Sequence, residues 1–175
     1  EIYHDGSNSY IKDNGTGSLY IRGQNAVALQ NASGETYLQG TTDAGVSLNY
    51  DNSEKLATTA NGITVTGTAI ATTDTDTTNT GSVTLDFAAN QNFVLTLTGN
   101  VTLANPSTEQ VGQSGFITFI QDGTGSRTVS LGTDYETAAG AGITLTSTAS
   151  ATDIVPYVVA AAGRILLGAP QLAFS

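Results

Sequence analysis

Residues 45–67 read GVSLNYDNSEKLATTANGITVTG. Val46 and Leu48 stand two apart, as do Ile63 and Val65, and Asp51-Asn52 and Asn61-Gly62 interrupt the apolar positions. A period of two places each pair on one face of an extended strand. Asn and Gly supply the positive φ that a tight turn requires. This stretch therefore predicts short strands joined by tight turns, and the pattern continues upstream.

Apolar clusters also occur at Tyr10-Ile11, Leu19-Tyr20-Ile21, Val27-Ala28-Leu29 and Tyr37-Leu38. Taken with Leu48, Leu56 and Val65, the last aliphatics fall at 11, 21, 29, 38, 48, 56 and 65, spaced by 10, 8, 9, 10, 8 and 9. Turn formers at this spacing indicate β structure. Each unit offers a narrow stripe of two or three apolar side chains. Ordering a residue costs roughly 1–2 kcal/mol of backbone entropy, whereas burying one large aliphatic returns only about 1.5–3 kcal/mol. No unit can sustain a core by itself. Stacked repeats share the burden along one chain, and three chains about a common axis would bring three stripes together. An ordinary single-chain sandwich is the plainer alternative, but it draws on larger side chains than these from both sheets.

Residues 68–81 carry one large apolar side chain, Ile70, among Thr, Asp and Asn, and read as a Thr-rich linker. Asp74 and Asp76 invite comparison with a calcium loop, but the downstream Gly and the twelfth-position acid are missing. From Ser82 the strands lengthen. Val83/Leu85/Phe87, Phe93/Leu95/Leu97 and Val101/Leu103 alternate, with Asn90-Gln91 and Gly99-Asn100 read as turns. Phe116-Ile117-Thr118-Phe119-Ile120 is apolar on both faces and predicts a central strand buried on two sides. Asp153–Leu167 reads as strand, turn, strand, broken at Ala161-Ala162-Gly163. Residues 82–175 are long enough for a compact sandwich with its own core.

Composition excludes several functions. The formal net charge is −10, and the five bases (Lys12, Arg22, Lys55, Arg127, Arg164) are scattered, which disfavours nucleic acid and anionic membrane. No apolar run approaches the roughly 18 residues of a membrane span. The chain has no Cys, hence no disulfide or thiolate metal site. It begins at Glu1 without Met, which suggests either processing or part of a longer polypeptide.

Catalytic chemistry finds few candidates. His4 is the single histidine, and nothing in the sequence identifies a buried partner to orient it for nucleophilic work. Asp134/Glu136 and Asp51/Glu54 are the closest carboxylate pairs. Glycoside hydrolysis would need one such acid with a raised pKa in a cleft, usually beside aromatic platforms, and the chain has no Trp. Tyr3, Tyr10, Tyr20, Tyr37 and Tyr50 suit either a carbohydrate-binding ladder or, more simply, bracing between strands. No catalytic, cofactor-binding or metal residue is assigned. Recognition is expected of the small polar loops Gln121–Arg127, Thr133–Gly142 and Ser147–Asp153, because loops on a rigid scaffold commonly carry it.

The run IYHDGSNSYIKDNGTGSLYI (2–21), followed by the opening stretch, resembles the shaft element of tail fibres and related appendages of tailed, especially marine, bacteriophages. NFVLTLTGNVTLANPS (92–107), GFITFIQDGTGSRTVSLG (115–132) and the closing segment from Asp153 resemble a C-terminal module of such fibres. The resemblance implies a homotrimer at the distal part of an external virion appendage. Other tail or baseplate proteins and a host-surface receptor, first of all a glycan, are the implied partners. The expected fold is all-β. It comprises an intertwined trimeric shaft of β-prism or β-helix type over 1–67, the linker over 68–81, and a β-sandwich-like module over 82–175. The expected role is structural and receptor-binding, without enzymatic activity or cofactor. The alternatives are a decoration fibre without a receptor, a polysaccharide-degrading spike, and a bacterial adhesin or surface-layer fragment.

Overall fold

The computed structural model describes residues 1–174. The chain is all-β and divides into two compact units, Glu1–Ala69 and Ile70–Ser175. Among the described residues the one helical segment is a 3-10 turn at Ala138–Gly140.

Unit 1 opens with an antiparallel hairpin of β1 (Ile2–His4) and β2 (Ser9–Ile11). A five-stranded antiparallel meander follows: β3 (Ala26–Gln30), β4 (Thr36–Thr41), β5 (Gly45–Tyr50), β6 (Ser53–Thr59) and β7 (Gly62–Val65). Its turns use the residues singled out above. Asp51 and Asn52 both take positive φ (51° and 54°), the conformation of a two-residue hairpin turn. Leu19-Tyr20-Ile21 was expected to be a strand, yet it forms none and remains exposed. Apolar alternation alone does not make a strand when no neighbour supplies the ladder.

The register of the meander is informative. Leu29 pairs Leu38, Leu38 pairs Leu48, Leu48 pairs Leu56, and Leu56 pairs Val65. The recurrent aliphatics thus fall into one row across all five strands. Val27, Val46 and Ile63, two positions away on their strands, widen the row into an aliphatic face.

Unit 2 is an eight-stranded mixed sheet. Its strands are β8 (Thr73–Val83), β9 (Asn92–Leu103), β10 (Ser114–Gln121), β11 (Val129–Leu131), β12 (Tyr135–Glu136), β13 (Thr152–Ala161), β14 (Arg164–Leu167) and β15 (Gln171–Phe174). The order is β11-β9-β10-β13-β14-β12, with β8 on β9 and β15 on β13. Both β10, on Phe93–Leu97, and β11, on Val101–Leu103, lie on the side of β9 opposite β8, so β11 follows β10 end to end instead of forming a far edge. The sheet is curled, with the apolar core on its concave side.

The concave side holds Phe93, Leu95, Leu97, Val101 and Leu103 of β9, Ile117 and Phe119 of β10, Val155, Tyr157 and Val159 of β13, and Ile165 of β14, all buried. Phe87, Phe93 and Tyr157 form an aromatic cluster, with Phe87 edge-on to Tyr157 at 5.2 Å. The Tyr157 hydroxyl donates to the Gln91 carbonyl at 2.6 Å, and burial raises its pKa to about 12.

Three expectations are corrected here. Most of 68–81 is not a linker: Thr73–Val83 is strand β8, pairing in parallel with β9. Its Thr, Asp and Asn side chains suit an edge strand whose sides mostly face water, where charge also discourages stray pairing. Gly99-Asn100 is no turn, because β9 continues through it, with a register shift against β8 between Leu97 and Val101. Glycine is needed there for close approach, since a Cβ at 99 would stand 2.2 Å from the Thr80 Oγ1 of β8. Finally, β10 is central but buried on one face only, and Phe116 is 50% exposed. The strand-turn-strand reading of Asp153–Leu167 corresponds to β13 and β14, turned at Gly163 (φ 67°).

Candidate functional site

Unit 1 presents a surface before it presents a site. None of its described residues is buried. Val46 and Leu48 are 42% and 43% exposed, and Ile63 is 67% exposed. The opposite face of the meander carries Gln39, Ser47, Ala57 and Thr64 at the intervening positions. One side of this single-layer sheet is thus aliphatic and the other mostly polar, and nothing among the described residues of unit 1 covers the aliphatic side.

In unit 2 the predicted loops lie together beside β11. Gln121–Arg127 and Ser147–Asp153 touch directly: Ser126 N–H donates to the Ser147 carbonyl, Ser150 N–H to that of Asp122, and Gln121 N–H to that of Ala151. Two adjoining depressions, of about 540 and 220 Å³, share Val129 and Ile143. Ser130, Leu131, Tyr135, Glu136 and Thr137 line the larger, and Arg127, Thr144 and Leu145 the smaller. Thr133–Gly142 borders the larger one, so all three loops flank one groove beside β11. On its inner side β11 bonds to β9 through Thr128 and Gly132. Alternation along a parallel ladder aims the N–H and C=O of Val129 and Leu131 the other way, into the groove.

The groove walls are held firmly. Asp122 accepts from the backbone of Thr124 and Gly125 and from the Arg127 guanidinium, with Nη2 at 2.8 Å. The Arg127 hydrogen bond, then the two backbone donors, hold its pKa below the ordinary carboxylate range. Buried Gln121 donates to the Arg127 carbonyl and accepts from its N–H, closing the loop on itself. Buried Asp153 accepts from the Thr146 N–H and hydroxyl and from the Ala173 N–H. Ser126, Ala139 and Ser150, one in each loop, take positive φ of 61°, 55° and 62°. Non-glycine residues held there cost of order 1–3 kcal/mol each, and such strain clusters at ligand clamps and switch regions. Tyr135 contributes its ring to the groove, and burial raises its hydroxyl's pKa.

The catalytic candidates occupy other settings. Glu136 is clamped by Arg164 through two bonds of 2.7 and 2.9 Å, and this partner holds its pKa low, opposite to the shift a general acid needs. Asp134 accepts a hydrogen bond from the Thr133 hydroxyl at 3.4 Å. Asp51 sits in the β5–β6 turn and Glu54 on β6. His4 Nδ1 lies 3.2 Å from Ser9 Oγ on the exposed hairpin, while nearby Asp5 is engaged by Ser7, Asn8 and Tyr10. Asp74 and Asp76 lie on β8, not in a loop. Tyr3 and Tyr10 stack across the hairpin at 4.8 Å, whereas Tyr20, under the Arg22 guanidinium, and Tyr50 are largely exposed.

The loops were expected from the sequence, whereas the groove depends on residues 143–147 lying along β11, a contact that no local pattern announces. A family model described as "Putative phage tail fibre C-terminal domain" matches residues 72–163, just over half of the chain. The match begins at the start of β8, in keeping with that strand's place in unit 2. No curated protein and no solved structure matches the chain.

Proposed function

The chain belongs to the phage tail fibre C-terminal domain family, and from that premise we propose that it is a trimeric, receptor-binding segment of the fibre. Membership makes it a structural component associated with the virion tail. The finer reading adds two roles, one for each unit.

Self-association falls to the meander. The observation that carries this is the uncovered row Leu29–Leu38–Leu48–Leu56–Val65 in a unit with no buried described residue. A sheet with one bare aliphatic side needs a cover. Copies of the same chain bring that cover without adding charge at the contact. Three copies about a common axis would bring three such stripes together.

Recognition falls to the groove of unit 2. Its walls are fixed by the Asp122–Arg127 pair and by Gln121 and Asp153, while its lining offers hydroxyls and aimed backbone groups suited to a polar ligand such as a surface glycan. Three copies turn modest single-site affinity into avidity.

The test is binding of the isolated chain to a panel of bacterial cells and their surface glycans. Ser130→Trp, which fills the larger depression from an exposed position, should abolish that binding while leaving mass and unfolding temperature unchanged. Full binding by this variant would remove the groove as the site. Absence of binding by the parent chain across the panel would leave a purely structural fibre segment.

A further inference from the structure

The convex side of unit 2 carries an apolar surface that its own core does not use. On β10 and β13, Phe116 pairs with Pro156, Thr118 with Ile154, and Ile120 with Thr152. On β13 and β14, Val158 pairs with Leu166. The intervening residues Ile117, Phe119, Val155, Tyr157 and Ile165 are buried inside. Alternation therefore turns Phe116, Ile120, Ile154, Pro156, Val158 and Leu166 outward. Phe116 remains 50% exposed and Val158 41%.

This surface has relief. Pro156, Val158, Leu166 and Gly168 border a shallow depression of about 340 Å³. Gly168 leaves it open, because a Cβ there would stand 2.7 Å from Pro156 Cγ. The neighbouring Phe116 projects as a knob. Knob and hollow lie side by side on one face and are different residues, so one copy can offer its knob to the hollow of another.

Charge selects the same occupant. The chain carries 15 acids against 5 bases, yet none of the outward positions of β10 and β13 from 114 to 120 and from 152 to 158 is charged. Identical acidic chains can approach closely only across such a surface. We infer that this convex face is the contact between copies in unit 2, with Phe116 of one copy seated in the Pro156–Val158–Leu166–Gly168 hollow of the next. The inference rests on the trimeric reading above and adds the face and the residues.

The experiment is a double substitution, Phe116→Cys with Leu166→Cys, in the full chain, which has no cysteine of its own. β10 and β14 are separated by β13, so the two positions lie roughly 10 Å apart within a copy. A disulfide needs Cα atoms closer than about 7 Å and so cannot form inside one chain. Between copies, the knob beside the hollow brings them together. Mild oxidation should yield covalent species up to three chains, reversed by reductant and missing from either single variant. Both side chains are at least partly exposed, and unchanged unfolding of the reduced variant confirms its fold. A species of trimer mass that gives no covalent product overturns the assigned face and leaves the trimer standing. A parent chain of monomer mass overturns both.

Discussion

Replacing Leu48 by Asp probes the aliphatic row at its centre. Leu48 pairs with Leu38 on one side and Leu56 on the other, and it keeps 43% of its surface exposed in the single chain. Complete burial of a leucine is worth about 1.5–3 kcal/mol, so covering the remaining surface contributes roughly 0.6–1.3 kcal/mol per copy, or roughly 2–4 kcal/mol for three. That alone lowers association about 30-fold or more. Carboxylates about 7 Å apart at an effective dielectric near 20 repel by roughly 2.4 kcal/mol per pair, and three copies make three pairs. Leu48→Asp should therefore shift the chain from three copies to one in sedimentation equilibrium and lower its unfolding temperature. Ser47→Asp places the same charge on the opposite face and should change neither. Unaltered mass and unfolding in Leu48→Asp, or equal damage from Ser47→Asp, would refute the assignment of the row to an interface.

Two further outcomes are expected. Asp122 is held below its ordinary pKa by Arg127 and the loop backbone; a depressed carboxylate stabilises the fold above its unfolded pKa, near 3.9, and loses that contribution as pH falls through the lower folded value. Asp122→Asn should accordingly flatten the acid limb of unfolding temperature against pH below about 4, and a limb identical to the parent's would show that the pair adds nothing. Gly115→Ala would bring a Cβ to 2.1 Å from the Gln91 carbonyl oxygen, the group that accepts the Tyr157 hydroxyl; overpacking of this kind typically costs about 1–3 kcal/mol, measurable as a lower denaturant midpoint at constant slope.

How far the sequence led depended on the range of the interactions involved. The meander was legible because its strands pair with immediate neighbours and its turns lie in the same few residues as Asp51, Asn52 and Gly62. The lining-up of Leu29, Leu38, Leu48, Leu56 and Val65 was implicit in their spacing, although register became visible only in the structure. Strand β8 escaped notice because Thr, Asp and Asn at 73–80 are ordinary linker residues. They become a strand by parallel pairing with β9, a contact that no local pattern announces. Leu19–Ile21 failed in the opposite way, since its local pattern is good and a partner strand is missing. Phe116 misled because an apolar residue on an outer face looks the same in sequence as one in a core. The loops around the groove were legible from their small polar residues. The Asp122–Arg127 clamp falls within one of them, at a separation a turn can close. The groove itself depends on residues 143–147 packing along β11, segments that no local pattern brings together.

The row across the meander also bears on how such a chain can change over generations. Each strand contributes one residue to the row, and each turn reverses the chain's direction. Gain or loss of two adjacent strands by in-frame recombination would preserve both the face and the heading of the exit, while changing the count by one would keep the face but reverse the heading. Length can then drift in steps of two strands without an interface having to be reinvented, and parity, rather than size, is what the architecture constrains.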